Sequence, residues 1–446
     1  MDDVTQGVLD EIGLDEPWGL VEAFAKQPRE HPDDANRGAD LIVERLRSYG
    51  MPVAIHEPEI YLSLPLDSKV KVGDRVFAAK PPAFAASKPE GVTAPLLYLE
   101  SASGGSPLDR DARAAGDEVI GKVVIIEGFA LPNFVAGLEA AGAAAVVAVN
   151  PGERIHWGTV STIWGTPEPD DLARLPKIPS AAVNQADGQA LIALAAEGAE
   201  ATVTTELETG WFMQKLPVVE IEGTQDPDAF VLVHGHYDSW REGVGDNGTG
   251  NACMLELARV LWAKRDQLKR SVRLAWWPGH STGRYAGSAW FADTFAQDLA
   301  DHCVVHMNCD SPGCRWATSY SSINATSDCD AALKAIAREA TGQAAEGKRP
   351  QRNSDYTFNN IGISACLSAS SMMTPEARAE HGYYIVGGCG GNIAWHTEDD
   401  TLEIADRDVL RKDIELYTTA VLYFANAEVL PIDWRAATAE FSDTVD

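Results

Sequence analysis

Positive charge is scarce in this chain. Its 446 residues carry 36 Lys and Arg against 66 Asp and Glu, a formal net charge of −30. A protein so short of cations has no basic face for a phosphate backbone, so nucleic-acid binding is not expected. Cysteine is thinly spread too. Seven are present, none before Cys253, and no two have CxxC spacing. That odd, scattered set excludes a disulfide framework and points to a reduced, cytoplasmic protein. Cys309 and Cys314 flank a candidate ligand, but the preferred reading of both is a small buried residue. Long apolar runs are missing. The N-terminus, Met1-Asp-Asp-Val-Thr5, is acidic, and neither a signal peptide nor a membrane span is expected.

What is there is enough for two cores. Apolar residues make up 45% of the chain, and its length exceeds what one core usually serves. Asp33 to Tyr49 reads as an amphipathic helix ending at Gly50, and Pro52 to His56 as a strand. From about Ala94 short β-branched runs alternate with helical ones: Ala94–Leu99, Gly121–Gly128, Ala143–Val149, Ile178–Val183 and Ala201–Leu207 as strands. That makes a compact α/β module with few chemically active groups. His156 and Glu153 are its only ligand types close in sequence, and a structural role is preferred for them. The alternation resumes at Leu216–Ile221, Phe230–His236, Ser271–Trp277, Val304–Asn308 and Gly362–Ser368, with a long terminal helix over Leu410–Val429. The predicted fold class is α/β, a mixed, mainly parallel sheet sandwiched by helices, with a smaller α/β domain inserted. Catalytic groups on such a sheet gather at the carboxyl ends of the strands.

The stretch that organises this pattern is Phe230-Val-Leu-Val-His-Gly-His-Tyr-Asp-Ser-Trp240, followed by Gly245-Asp-Asn-Gly-Thr-Gly250. An apolar strand delivers His234, His236 and Asp238 in alternation, on one face if the strand persists. A glycine-rich turn with Asp246 follows, then a helix with Asn247 or Thr249 as a possible cap. Imidazole and carboxylate at a strand end suit a divalent metal such as zinc. His236, Asp246, His280, Asp310 and His396 all fall just beyond predicted strand ends. His234 comes too early on its strand to be a ligand, and His302 and His306 read as packing or surface groups. Ser281 beside His280 suggests a serine nucleophile only weakly, since no GxSxG elbow is read there and no triad order is apparent.

In order, His236-Tyr-Asp238-Ser239, Asp246-Asn-Gly-Thr-Gly250, Asn308-Cys-Asp310, Ser354-Asp355-Tyr-Thr-Phe358 and Trp395-His-Thr-Glu-Asp-Asp-Thr401 resemble the family-28 metallopeptidases, the zinc aminopeptidase and glutamate carboxypeptidase family. Residues 94–211 resemble the protease-associated domain that many members carry as an insertion, leaving 1–93 and 212–446 as the catalytic domain. The resemblance implies one or two zinc ions. His236 and Asp310 would bind one, His396 the second, and Asp246 would bridge them. Asp238 would accept a hydrogen bond from His236 and fix its tautomer. Asp355 and Tyr356 would face substrate. It also implies hydrolysis of an amide or peptide-like bond through metal-activated water.

One departure is large. The family's segment carries a Glu-Glu pair, a general base followed by a metal ligand. Here Trp277-Pro-Gly-His-Ser-Thr-Gly-Arg-Tyr-Ala-Gly-Ser288 holds no carboxylate. His280 stands at the altered place, as a metal ligand by preference, as the base, or as the relic of a dead site. Arg284 and Tyr285 share the loop, and the guanidinium could hold a substrate carboxylate or pair with an acidic surface group. The expected function is a metal-dependent hydrolase of a small-molecule or peptide-like amide. The alternative is a non-catalytic binding protein that kept part of the metal site. Homo-oligomerisation is left open.

Overall fold

The protein is described by a computed structural model covering residues 2–100, 116–350, 356–367 and 370–445. Two sheets organise it. The first has five strands: β1 (Val53–His56), β9 (Leu216–Ile221), β10 (Asp226–His236), β11 (Arg270–Trp277) and β12 (Cys303–Asn308), in spatial order β1-β9-β11-β10-β12. It is mixed, with β11, β10 and β12 parallel and β9 and β1 antiparallel at one edge. Strand β10 has no polar face because it lies between two cores. Val231 and Val233 pack with helices Thr249–Ala263 and Arg407–Ala425, while Phe230 and Leu232 pack with Trp277 and Phe291 on the other side. Gly235 lets two strand ends meet. A Cβ there would come 2.5 Å from the Cys309 carbonyl oxygen, and the Cys309 amide donates to the His234 carbonyl at 2.7 Å.

The second sheet has seven strands in the order β3-β2-β8-β4-β5-β6-β7. They are β2 (Glu59–Val72), β3 (Arg75–Ala79), β4 (Lys88–Tyr98), β5 (Val123–Glu127), β6 (Ala145–Val149), β7 (Ser180–Val183) and β8 (Glu200–Met213). Strands β4 to β7 are parallel where they meet, and the module anticipated from Ala94 is recognisable in them. Its sheet also takes in β2 and β3, which start at Glu59. Reading the sequence alone did not place these two, because Pro65 interrupts the alternation of Ile60, Leu62 and Leu64. The register shift between Pro65 and Asp67 lets β2 stay paired with β8 around that proline. The segment Gly362–Ser368, read as a strand, makes only isolated bridges at Ala365 and Cys366 among its described residues.

The segment after β6, with Lys80 after β3, clamps the second sheet's module to residues 384–399. His156 Nδ1 donates to the Trp395 carbonyl at 2.6 Å, and its Nε2 meets the Tyr384 hydroxyl at 2.7 Å. Arg154 forms two bonds to Asp399, at 2.7 and 2.8 Å, and Lys80 pairs with Glu398 at 2.7 Å. His156 therefore serves structure, as its sequence context suggested. Burial pushes its imidazole down to about 3, with the nearby His396 adding to this and the Trp395 carbonyl opposing it. The unfolded chain takes up this proton near the ordinary value of 6.5, whereas the folded chain stays neutral until about 3. The clamp's contribution is thus complete above about pH 6.5 and is lost as pH falls through that window. His156→Gln is expected to unfold at a lower temperature than the parent at neutral pH, yet to lose less on going to about pH 5. Parallel losses in the two proteins, followed by thermal denaturation, would remove His156 from the acid response.

Candidate metal centre

Strand β10 ends at His236, so Asp238 lies past the ladder rather than on its face. That changes the role read for Asp238. The His236 Nδ1 bonds to the Asp238 carbonyl oxygen at 2.9 Å, while the carboxylate is 3.7 Å away. The Asp238 carboxylate instead receives the amides of His280 and Ser281, at 3.1 and 2.9 Å. It fixes the start of the loop after β11. His396 is held the same way as His236, with Nδ1 bonded to the Trp157 carbonyl at 3.0 Å. A carbonyl only accepts, so in both neutral rings Nδ1 carries the proton and Nε2 a lone pair.

Both lone pairs face the same carboxylate. Asp246 Oδ1 lies 3.0 Å from His236 Nε2, and Asp246 Oδ2 lies 3.1 Å from His396 Nε2. Asp310 Oδ1 is 3.6 Å from His236 Nε2. His236 Nε2 and Asp246 Oδ1 are buried and have no partner in hydrogen-bond geometry. Acceptors turned on acceptors in a buried place repel unless a cation lies among them. The field acts on protons as well. Burial disfavours a charged His236, yet Asp238, Asp246 and Asp310 hold its pKa well above the ordinary imidazole range. Burial likewise opposes ionisation of Asp246, and His236 and His396 hold it well below the carboxylate range. The donor set of imidazole and carboxylate, with its orphaned atoms, fits a divalent metal such as zinc.

His280 joins this group. Its ring stacks on His236 with centroids 3.8 Å apart and planes 12° from parallel. Ligand atoms of His236, His280 and Asp310 all lie within 4.8 Å of one another. The five residues singled out as metal-binding, from three strand ends and two loops, are thus brought to one place. Arg284, Tyr285 and Tyr356 line the cavity above it, of about 810 Å³. Asp355 lies outside the described residues. The cysteines are all free, and Cys309 and Cys314 turn their sulfurs to the Gly250 and Gly245 carbonyls. His234 is buried between Trp277 and His306, at 3.0 Å from each, and burial keeps it neutral.

Some contributors went unread in the sequence. Asn247 does not cap the helix. Its amide donates to the His236 and Cys309 carbonyls, at 3.1 and 2.9 Å, and its oxygen accepts from the Ser311 amide, so it stitches β10 to β12. Arg29 is wholly buried beneath the site, bonded to the Tyr237 and Gly243 carbonyls at 2.7 and 3.0 Å. Nothing local marks it. The spacing Gly279-His-Ser281-Thr-Gly283 does match GxSxG, a match passed over in the sequence. It is not a nucleophile elbow. The left-handed residues of the loop are Arg284 and Tyr285 rather than Ser281, and the helix starts only at Ala286.

Asp400 also lies under the centre. Its carboxylate accepts the Gly245 amide at 2.6 Å and the Asp246 amide at 3.0 Å. Burial, and then the charge of Asp246, pushes Asp400 up to about 7, against the pull of those amides. The Asp246 side chain is aimed by this support. Asp400→Ala is expected to weaken metal retention roughly 10- to 100-fold, as losses of such supports do, read by competition against a chelating dye. Retention equal to the parent's would show that the loop holds its shape unaided.

Comparison with known proteins agrees with this geometry. Residues 218–421 match Peptidase family M28, and residues 92–191 match the PA domain. A probable glutamate carboxypeptidase VP8 of Zea mays is 26% identical over 239 residues, 50% of this chain but 32% of its own length. The chain thus spans about a third of that relative. Aminopeptidase YwaD of Bacillus subtilis (strain 168) is 25% identical over 355 residues, covering 78% of this chain and 70% of its own. The solved structure of BSAP, a zinc aminopeptidase from Bacillus subtilis, superposes with a TM-score of 0.65 at 19% identity, over 92% of this chain and 95% of that one. Likeness at that identity speaks for the fold. On that fold, residues 218–421 are similar to Peptidase family M28, and residues 92–191, which precede them, are similar to the PA domain.

Proposed function

We propose that this protein is a metal-dependent hydrolase of an amide or peptide-like bond, working with an altered M28 site in which His280 stands where a carboxylate pair is usual. The observation that carries the reading is the Asp246 carboxylate spanning the His236 and His396 Nε2 atoms, with Asp310 beside the first of them. His236, Asp310 and His396 would hold one or two divalent ions, zinc by the chemistry of the donors, with Asp246 shared. A bound metal of this kind supplies Lewis acidity toward a carbonyl and acidifies water. His280 would add a third imidazole, next to His236 and Asp310, in place of the missing carboxylate.

A second role for His280 has its own support. The residue also lines the cavity, and Tyr285 meets its ring edge-on at 4.7 Å, which supports a role for its imidazole in taking a proton beside substrate. The rest of the chain orients and shields. Trp157 fixes the His396 ring through its carbonyl, and residues 156–159 of the clamp segment line the cavity beside the centre. The PA segment therefore belongs to the substrate's surroundings in this reading.

Purified protein is expected to hold at least one transition metal per chain, and removing it with a chelator should abolish turnover of an amide in a substrate panel. Metal retained but no amide cleaved would favour the non-catalytic alternative. His280→Ala separates the two roles of that residue. Loss of metal content marks a ligand. Full metal content with turnover reduced roughly 100-fold or more marks a base. A variant that kept both would remove His280 from the reading.

A further inference from the structure

Between β10, which ends at His236, and the turn Val244–Gly248, which carries Asp246, the chain forms neither helix nor strand. This connection decides how far apart two of the metal-binding candidates stand, and its path is not an easy one. Arg241 and Gly243 are both left-handed, at φ +53° and +47°. Glycine takes that conformation freely. An arginine rarely does, so contacts from outside must hold it there.

Those contacts converge on one residue. Arg29 bonds to four alternate positions of the connection. Its Nε donates to the Tyr237 carbonyl at 2.7 Å and its Nη2 to the Gly243 carbonyl at 3.0 Å. Its own carbonyl accepts the Ser239 amide at 3.2 Å, and its amide donates to the Arg241 carbonyl at 3.0 Å. The guanidinium is set in turn from its other side. Nη1 reaches the Gln27 carbonyl at 3.2 Å, and the Phe24 ring lies beneath at 4.0 Å. Next in the chain, the Glu30 carboxylate takes the Arg241 amide at 3.0 Å. A planar fork of donors spans two carbonyls at once, which an ammonium cannot do in the same geometry.

The charge of Arg29 acts in the opposite direction. The side chain is wholly buried and lies in the field of Asp400, Asp238 and Asp246. A fixed positive charge there answers the acids, but it also repels a metal cation. Removing the guanidinium would tighten a metal by Coulomb's law alone, and would loosen it if the path of the connection matters more. The two effects differ in sign, so metal affinity separates them.

We infer that Arg29 is a positioning residue of the metal centre: its fork holds the Tyr237 and Gly243 carbonyls and so sets His236 and Asp246 at the separation a shared metal needs. This rests on the metal centre of the reading above and not on its chemistry. Arg29 acts through the main chain, from the segment that joins helices Asp15–Phe24 and Pro32–Ser48.

The test is zinc retention by the full chain, measured by competition against a chelating dye, with the visible absorption of the cobalt-loaded protein as a second readout. Arg29→Met keeps an apolar stem and loses both fork and charge. Arg29→Lys keeps the charge and loses the fork. Both are expected to hold zinc about 10- to 100-fold more weakly than the parent, and to shift the cobalt bands. Gly38→Ala displaces the side chain without removing it, since a Cβ there would stand 2.8 Å from the Arg29 Cδ, and alanine favours the helix that carries it. It should weaken zinc as well. If the Arg29 variants do not fold, Gly38→Ala decides alone, with parental affinity overturning the inference. Zinc held by Arg29→Met as tightly as by the parent, or more tightly, would overturn it, and so would parental affinity in Arg29→Lys. A lower melting temperature with parental zinc affinity and cobalt bands would mark a purely structural role and count against it too. Weakened zinc in the variants, with no amide cleaved by the parent, would support Arg29 as a positioning residue and count against the hydrolase reading. Amide turnover by the parent, with zinc affinity unchanged in the variants, would do the reverse.

Discussion

One constraint governs the centre of this molecule: a buried carboxylate, Asp246, is held between two imidazole Nε2 atoms that both turn lone pairs toward it. With both rings neutral such an arrangement is unfavourable, and it becomes favourable around a cation, whether a proton on His236 or a metal ion. Much of the surrounding structure serves to keep it in place. Carbonyls of Asp238 and Trp157 set the two rings, and Asp400 grips the amides on either side of the Gly245–Asp246 peptide. Asn247 joins the strand ends that bring His236 and Asp310 together. The excess of negative charge is answered from below by Arg29, a guanidinium with no exposed surface, which lies in the field of Asp400, Asp238 and Asp246.

The PA segment is more than an appendage to that centre. Residues 154–165 supply the carbonyl that orients His396, the amide that pins Arg284 and the indole that stacks on Tyr285. The same stretch carries the His156 and Arg154 contacts to Trp395 and Asp399. Position and enclosure therefore come from one element.

The altered loop after β11 shows how far one substitution pattern can spread. With no carboxylate between Trp277 and Ser288, the ring of His280 comes to lie against His236, and its backbone amide is tied to Asp238. The two left-handed residues that follow, Arg284 and Tyr285, turn the chain back into the cavity before helix Ala286–Thr294 begins.

How much of this could be read without coordinates follows from what each signal depends on. The strands β10, β11 and β12 were legible because a buried parallel strand must be apolar along its length, and His236, His280 and Asp310 stand at or just past their ends, whereas Asp246 and His396 come from loops. Strand β2 was not, since its partner β8 lies about 140 residues away and Pro65 hides the alternation, and β3, which pairs only with β2, was missed with it. Asp238 was assigned to the wrong atom, because a residue past the last ladder bond no longer obeys the strand's alternation. Arg29, Asp400 and His156 carry no local pattern at all. Each acts on main-chain groups remote in sequence, and only folding decides which carbonyls and amides come within reach. The sequence by itself determined the donor set and the sheet that presents it. The tertiary structure decided which way each imidazole turns, what covers the centre and which charges face a substrate, because those depend on contacts between segments that the chain order leaves far apart.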